Sequence, residues 1–87
     1  MSDLRNQDIA DIRALLQTRE GARFLCRLLE MCGVFRISYV PGDTHGTAFA
    51  EGKRNVGLAI YADIEDMRPI EAAVKERSDM RELETLM

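Results

Sequence analysis

The sequence predicts an all-α fold: one small helical domain of three to four helices, with a central helix pair and an extended loop between its members. Three observations carry that reading. The stretch Arg19–Arg36, REGARFLCRLLEMCGVFR, joins a broad apolar arc at helical spacing to a glycine stop and an aromatic-basic exit. Thr47–Tyr61, TAFAEGKRNVGLAIY, repeats the helical period and offers that helix a packing partner. Val34–Val40, VFRISYV, alternates like a strand but finds no second strand-like run to pair with. It therefore reads as an extended segment packed on helices, or as a strand that pairs between subunits.

In chain order, the first helix is expected from Ser2 or Asn6 to Thr18. Asp3 and Asp8 suit its positive N-terminal end, and Ile9, Ile12, Leu15 and Leu16 recur at helical spacing. Thr18 offers a cap for the second helix, so the two are nearly continuous or meet at a tight corner around Thr18–Gly21. In the second helix, Ala22, Phe24, Leu25, Leu28, Leu29, Met31 and Cys32 form the arc expected to be buried, with Glu20, Arg23, Arg27 and Glu30 pairing along the opposite side. Gly33 stands where a left-handed C-terminal cap is wanted.

Pro41–Gly46 reads as a turn-forming loop. Thr47 then caps a third helix to about Asp66, with Phe49, Gly52, Val56, Ala59, Ile60, Ile64 and Met67 as its buried stripe. Gly52 and Gly57 each cost a helix about 1 kcal/mol relative to Ala, which points to close approach of a neighbouring helix. Leu58 and Tyr61 fall off the main stripe and are candidates to cover a partner. Pro69 suits the first turn of a fourth helix striped by Ile70, Val74, Met80, Leu83 and Met87, with Arg77 interrupting. The core is expected over about residues 6–66, with 67–87 a C-terminal helix.

Composition narrows the function classes. At 87 residues and 46% apolar content, one domain with a modest core is expected, worth about 4–13 kcal/mol in net stability. Self-association is a natural supplement to such a core. The net charge of −3 argues against a duplex-DNA binder, and the acidity is concentrated: residues 55–87 hold four basic and eight acidic side chains. No apolar run reaches the ~18–20 residues of a membrane span, and no signal peptide opens the chain. Cys26 and Cys32, six apart on one helix, point away from each other and read as free thiols.

No catalytic, metal or cofactor constellation emerges. His45 has no orienting partner that would make a thiol dyad with Cys26 or Cys32, and one His with two Cys falls short of a zinc set. Asp63, Glu65 and Asp66 fan out if they lie on a helix, and the glycines of GDTHG lack the G-K-[ST] of a phosphate loop. Arg19, Arg23, Arg27, Arg36, Lys53 and Arg54 make the middle of the chain locally basic, either as a phosphate-binding patch or as partners of Glu20, Glu30 and Glu51. Arg54 and Asn55 are placed to reach toward Gly33–Arg36, to meet backbone carbonyls or a partner protein.

At REGARFLCRLLEMCGVFR and AFAEGKRNVGL the chain resembles a small family of proteins from short-tailed bacteriophages (podoviruses), encoded among head and portal morphogenesis genes. The likeness covers about residues 12–62. It rests on Glu20, Gly21, Arg23, Phe24, Leu25, Leu28, Leu29, Cys32, Gly33, Phe35 and Arg36, then Phe49, Glu51, Gly52, Arg54, Asn55 and Gly57. Family members often carry Trp where this chain has Cys26 and Ala59, and the segment after Met67 matches little.

The resemblance implies a virion protein, present in the host cytoplasm during assembly, that acts by binding rather than catalysis. Its expected partners are copies of itself or portal, tail or internal-core proteins, and its candidate contact residues are Arg23, Arg27, Arg36, Arg54, Asn55, Leu58 and Tyr61. The alternatives are a nucleic-acid-associated module ejected with the genome and a host-directed regulator.

Overall fold

The computed structural model describes residues 3–35 and 44–86, and among them the only regular elements are four helices: α1 (Asp3–Leu15), α2 (Arg19–Met31), α3 (Thr44–Tyr61) and α4 (Arg68–Leu86). Most of the segment expected to be extended, residues 36–40, lies outside the described residues, as does Arg36 itself.

The corner between α1 and α2 is built from Thr18. Its hydroxyl accepts the Gly21 amide at 3.0 Å, as the N-cap reading expects, and donates to the Leu15 carbonyl at 3.3 Å. A Cβ at Gly21 would collide with that carbonyl, so the turn closes only on a hydrogen. At the other end of α2, Gly33 takes φ 75°, its amide reaches the Glu30 carbonyl at 3.0 Å, and the Val34 amide reaches Leu29 at 3.1 Å. These are the two bonds of a Schellman motif, and Val34 packs back on the core that holds Leu29.

The buried side chains are Ala22, Leu25, Cys26, Leu29, Ile64, Ile70 and Ala73. They form two neighbouring clusters: Leu25, Leu29, Ile64 and Ile70, and Ala22, Cys26 and Ala73, with Leu16 packed on both. The core is therefore chiefly a seam between α2 and α4, closed by Ile12 of α1, Leu16 in the turn that follows it, and the linker residue Ile64. The buried set reaches past the expected 6–66 into α4. Ile70 is 1% exposed, and Arg77, far from interrupting the contact, takes part in it by bonding Glu30. Of the stripe expected on α4, Val74, Met80 and Leu83 are exposed; the packed line is Ile70, Ala73 and Arg77.

α3 differs from expectation at both ends. It begins at Thr44, so His45 and Gly46 belong to its first turn rather than to a loop, and it ends at Tyr61. The backbone turns through Ala62 and Asp63, whose amides reach Leu58 and Ile60 at 2.9 and 3.0 Å. α3 meets α2 through Gly57: a Cβ there would lie 2.5 Å from Val34 and 2.6 Å from Cys32. That close approach is the role expected of its glycines, but it falls to Gly57 alone. Gly52 is exposed, and nothing stands within 4 Å of where its Cβ would be.

The result is a slab measuring 43 × 37 × 14 Å. Its radius of gyration is 15.1 Å, against about 12 Å for a compact domain of this length.

Candidate protein-interaction surface

Of the basic side chains expected to form a site, Arg19 and Arg23 are committed within the chain. Arg23 reaches Glu76 of α4 at 3.3 Å and Glu20 at 3.7 Å, and Arg19 reaches the other Glu76 oxygen at 3.7 Å. An open groove of about 480 Å³ runs between this corner and α4, past Arg19, Arg23, Lys75, Glu76 and Asp79. Its charges are mixed in sign, unlike a phosphate-binding patch. Glu30 faces α4 rather than Arg27: it accepts hydrogen bonds from Arg77 at 3.0 Å and Arg81 at 2.8 Å. Partial burial works against its charged form, but those bonds and the two positive charges hold its carboxyl below the usual glutamate range.

The acidic trio is also distributed. It lies in the α3–α4 linker rather than on a helix, and each carboxylate has its own arginine: Asp63 with Arg5 at 2.6 Å, Glu65 with Arg13, and Asp66 with Arg68 at 2.8 Å. Asp66 also accepts the Arg68 amide at 3.0 Å, and the side-chain bonds from Arg68 bring its pKa down to about 2. Two of these pairs tie the linker to α1.

Cys26 is wholly buried against Ala73, and Cys32 is half-buried at the α2 cap; both are free thiols. Burial, reinforced by the nearby Glu30 charge, pushes the Cys26 thiol pKa up.

The remaining candidates do not converge on one point. Arg27 is exposed on the back of α2 and makes no ion pair among the described residues. Arg54 and Leu58 are half-buried on the inward side of α3, and the Arg54 Nε is buried without a hydrogen-bond partner. Asn55 is exposed, and Tyr61 is 38% exposed at the helix end.

What the structure does assemble is apolar surface. Phe24 and Met31 were expected in the core; they are 58% and 60% exposed. They share the back of α2 with Glu20 and Arg27, one to three turns apart and opposite the α4 seam. Phe49 and Val56, also expected inside, are 69% and 60% exposed on the outer side of α3, with the Lys53 ammonium 5.2 Å from the Phe49 ring. Gly52 and Ala59 are exposed as well, so four of the seven residues of the expected buried stripe face outward. The periodicity that marked these residues as apolar-faced was present in the sequence; the direction each face takes was not. In all, the chain exposes 6578 Å², against about 5,200 Å² for a compact monomer of its mass, an excess of roughly 1,400 Å².

Among known proteins, the family model described as Bbp19-like phage protein matches residues 12–76. The match runs from Ile12 through α2 and α3 into α4 as far as Glu76, and so takes in the buried residues of the α2–α4 seam but not Arg77 and Arg81; it reaches further than the likeness to residue 62 read from the sequence. No curated protein matches the chain, and no solved structure does. No helix among the described residues is long and apolar enough to cross a membrane.

Proposed function

Since the chain belongs to the Bbp19-like phage protein family, we propose that it is a structural or assembly protein of short-tailed phage particles that acts by binding, without catalysis. It partners copies of itself and a portal, tail or internal-core protein, and it is present in the host cytoplasm while particles assemble. The observation that supports this reading is the surface of the slab. Phe24 and Met31 on one helix, and Phe49 and Val56 on another, leave large apolar side chains in water that the chain's own core does not use. Large apolar side chains exposed along one helix face are what another protein's surface would cover. Arg27 and Asn55, exposed beside those faces, supply the polar rim such a contact needs.

A genome-bound module is the weaker reading, because Arg19 and Arg23 spend their charge on Glu76. It predicts affinity for nucleic acid that falls steeply with salt.

Quantitative mass spectrometry of purified, nuclease-treated particles tests the proposal. Presence at a fixed copy number supports a virion component, and presence only in assembly intermediates supports a transient assembly factor. Absence from both overturns the reading and favours a host-directed regulator.

A further inference from the structure

The two sides of α3 differ in kind. Gly57, Arg54 and Leu58 face the chain's own core. Phe49, Gly52, Val56 and Ala59 follow one another at spacings of three, four and three, and all four are exposed. That spacing is the a/d seam by which one helix packs against another. From it we infer that α3 pairs antiparallel with α3 of a second copy of this chain, about a two-fold axis. The inference rests on the binding role proposed above and names one partner for it.

The order of side-chain sizes along the seam selects a second copy as the occupant. Read along α3, the seam is large, absent, branched, small. In an antiparallel register with Phe49 opposite Ala59 of the second copy, Gly52 falls opposite Val56, and the two-fold repeats both pairs in reverse. Every layer then sets a larger side chain against a smaller one, the condition for close packing. A parallel pair would instead stack Phe49 on Phe49 and Gly52 on Gly52, crowding one layer and emptying the next. The space such a pair needs is open, because beyond its chain neighbours and its own helix backbone nothing among the described residues lies within 4 Å of a Cβ at Gly52. The pairing uses the outer side of α3 alone and leaves the back of α2, with Phe24 and Met31, uncovered. A self-complementary surface also closes the assembly at two copies.

Sedimentation equilibrium of the full chain from about 1 μM to about 1 mM, the range that separates firm from weak pairing, reads the inference directly. A dimer is expected. Gly52→Leu fills space that is open in the single chain, so helicity should be retained, while the dimer dissociation constant should rise about 30-fold or more because both copies carry the clash. A second measurement reads register: an equimolar mixture of Gly52→Cys and Val56→Cys chains, oxidised gently, should give the mixed disulfide in preference to either like pair. A chain monomeric throughout overturns the inference, as does a dimer indifferent to Gly52→Leu that gives no mixed disulfide. Particle mass spectrometry separates the two claims. A monomer found in virions removes only the pairing, and a dimer missing from particles and intermediates removes only the virion role.

Discussion

The α2–α4 seam and α3 are built from similar amounts of apolar sequence but use it in opposite ways. Along the seam, Leu29 and Cys26 are fully buried, Ile70 is nearly so, and Glu30 is held by two arginines from the other helix. α3 is attached at one buried glycine and by Ile60 near its end, and it leaves Phe49 and Val56 in water. One region spends its apolar residues on stability, and the other displays them. A sequence pattern that reports only which residues are apolar cannot separate these uses.

The comparison breaks most easily at Leu29. Leu29→Ala should cost about 2–5 kcal/mol in urea or thermal unfolding, because it opens a cavity in the cluster of Leu25, Leu29, Ile64 and Ile70. Phe49→Ala should cost the isolated chain under about 0.5 kcal/mol despite removing a larger side chain, since Phe49 is mostly in water. If Phe49→Ala matched Leu29→Ala in dilute monomer, the distinction between the regions would be wrong.

A finer break separates α3 from the rest. Gly57→Leu should push α3 off Val34 and Cys32 at a cost of about 1–3 kcal/mol. Hydrogen exchange should then show the α3 amides losing protection while Leu25–Leu29 keep theirs. Loss of protection in both at once would mean that α3 is part of the same cooperative unit.

Next in size is Glu30→Gln, which keeps shape but removes the charge that Arg77 and Arg81 face; about 1–2 kcal/mol is expected. Its pH signature follows from the lowered pKa. The folded state binds this proton less readily than the unfolded chain, so the contribution is full above the usual glutamate value of 4.5 and fades as the pH falls through the lower folded value. Wild type should therefore lose part of its advantage over Glu30→Gln in acid, measured by urea midpoints at pH 7 and pH values near about 3. An advantage constant across that range would remove Glu30 from the seam.

The smallest effect on stability, and the sharpest on accessibility, concerns the thiols. Cys32 should react with a maleimide in the native chain, whereas Cys26, buried and with its thiolate disfavoured, should react only on unfolding. Equal labelling rates would place the α2–α4 seam open.

Much of the fold was legible because it rests on local chemistry. Thr18 and Gly33 punctuate α2 as their residue types require, and the existence of four helices follows from apolar period and from Pro69. What escaped depended on distant residues. α3 ends before the acids, where Ile64 enters the core and Asp63 and Glu65 pair with Arg5 and Arg13 of α1, and no local signal contains those partners. The apolar arc of α2 spans more than half its circumference, and α4 covers only the side of Ala22, Cys26 and Leu29, so Phe24 and Met31 were left outside. Arg77 looked like an interruption because its carboxylate partner, Glu30, is forty-seven residues away. The contact residues were not legible in address: of those expected, Arg23 pairs with Glu76, and Arg54 and Leu58 face the chain itself.

The 14 Å thickness of the slab has a calorimetric consequence. A layer so thin shelters little hydrocarbon from water, so little new hydrocarbon is wetted when it melts. The unfolding heat capacity of the dilute monomer should fall below the ordinary 12–15 cal/mol/K per residue, at about 10 or less, giving a stability curve that is broad and shallow with temperature. If a partner covers the displayed faces, the same residues melt from a thicker body, and the heat capacity should climb toward the ordinary value; heat capacity would then report assembly.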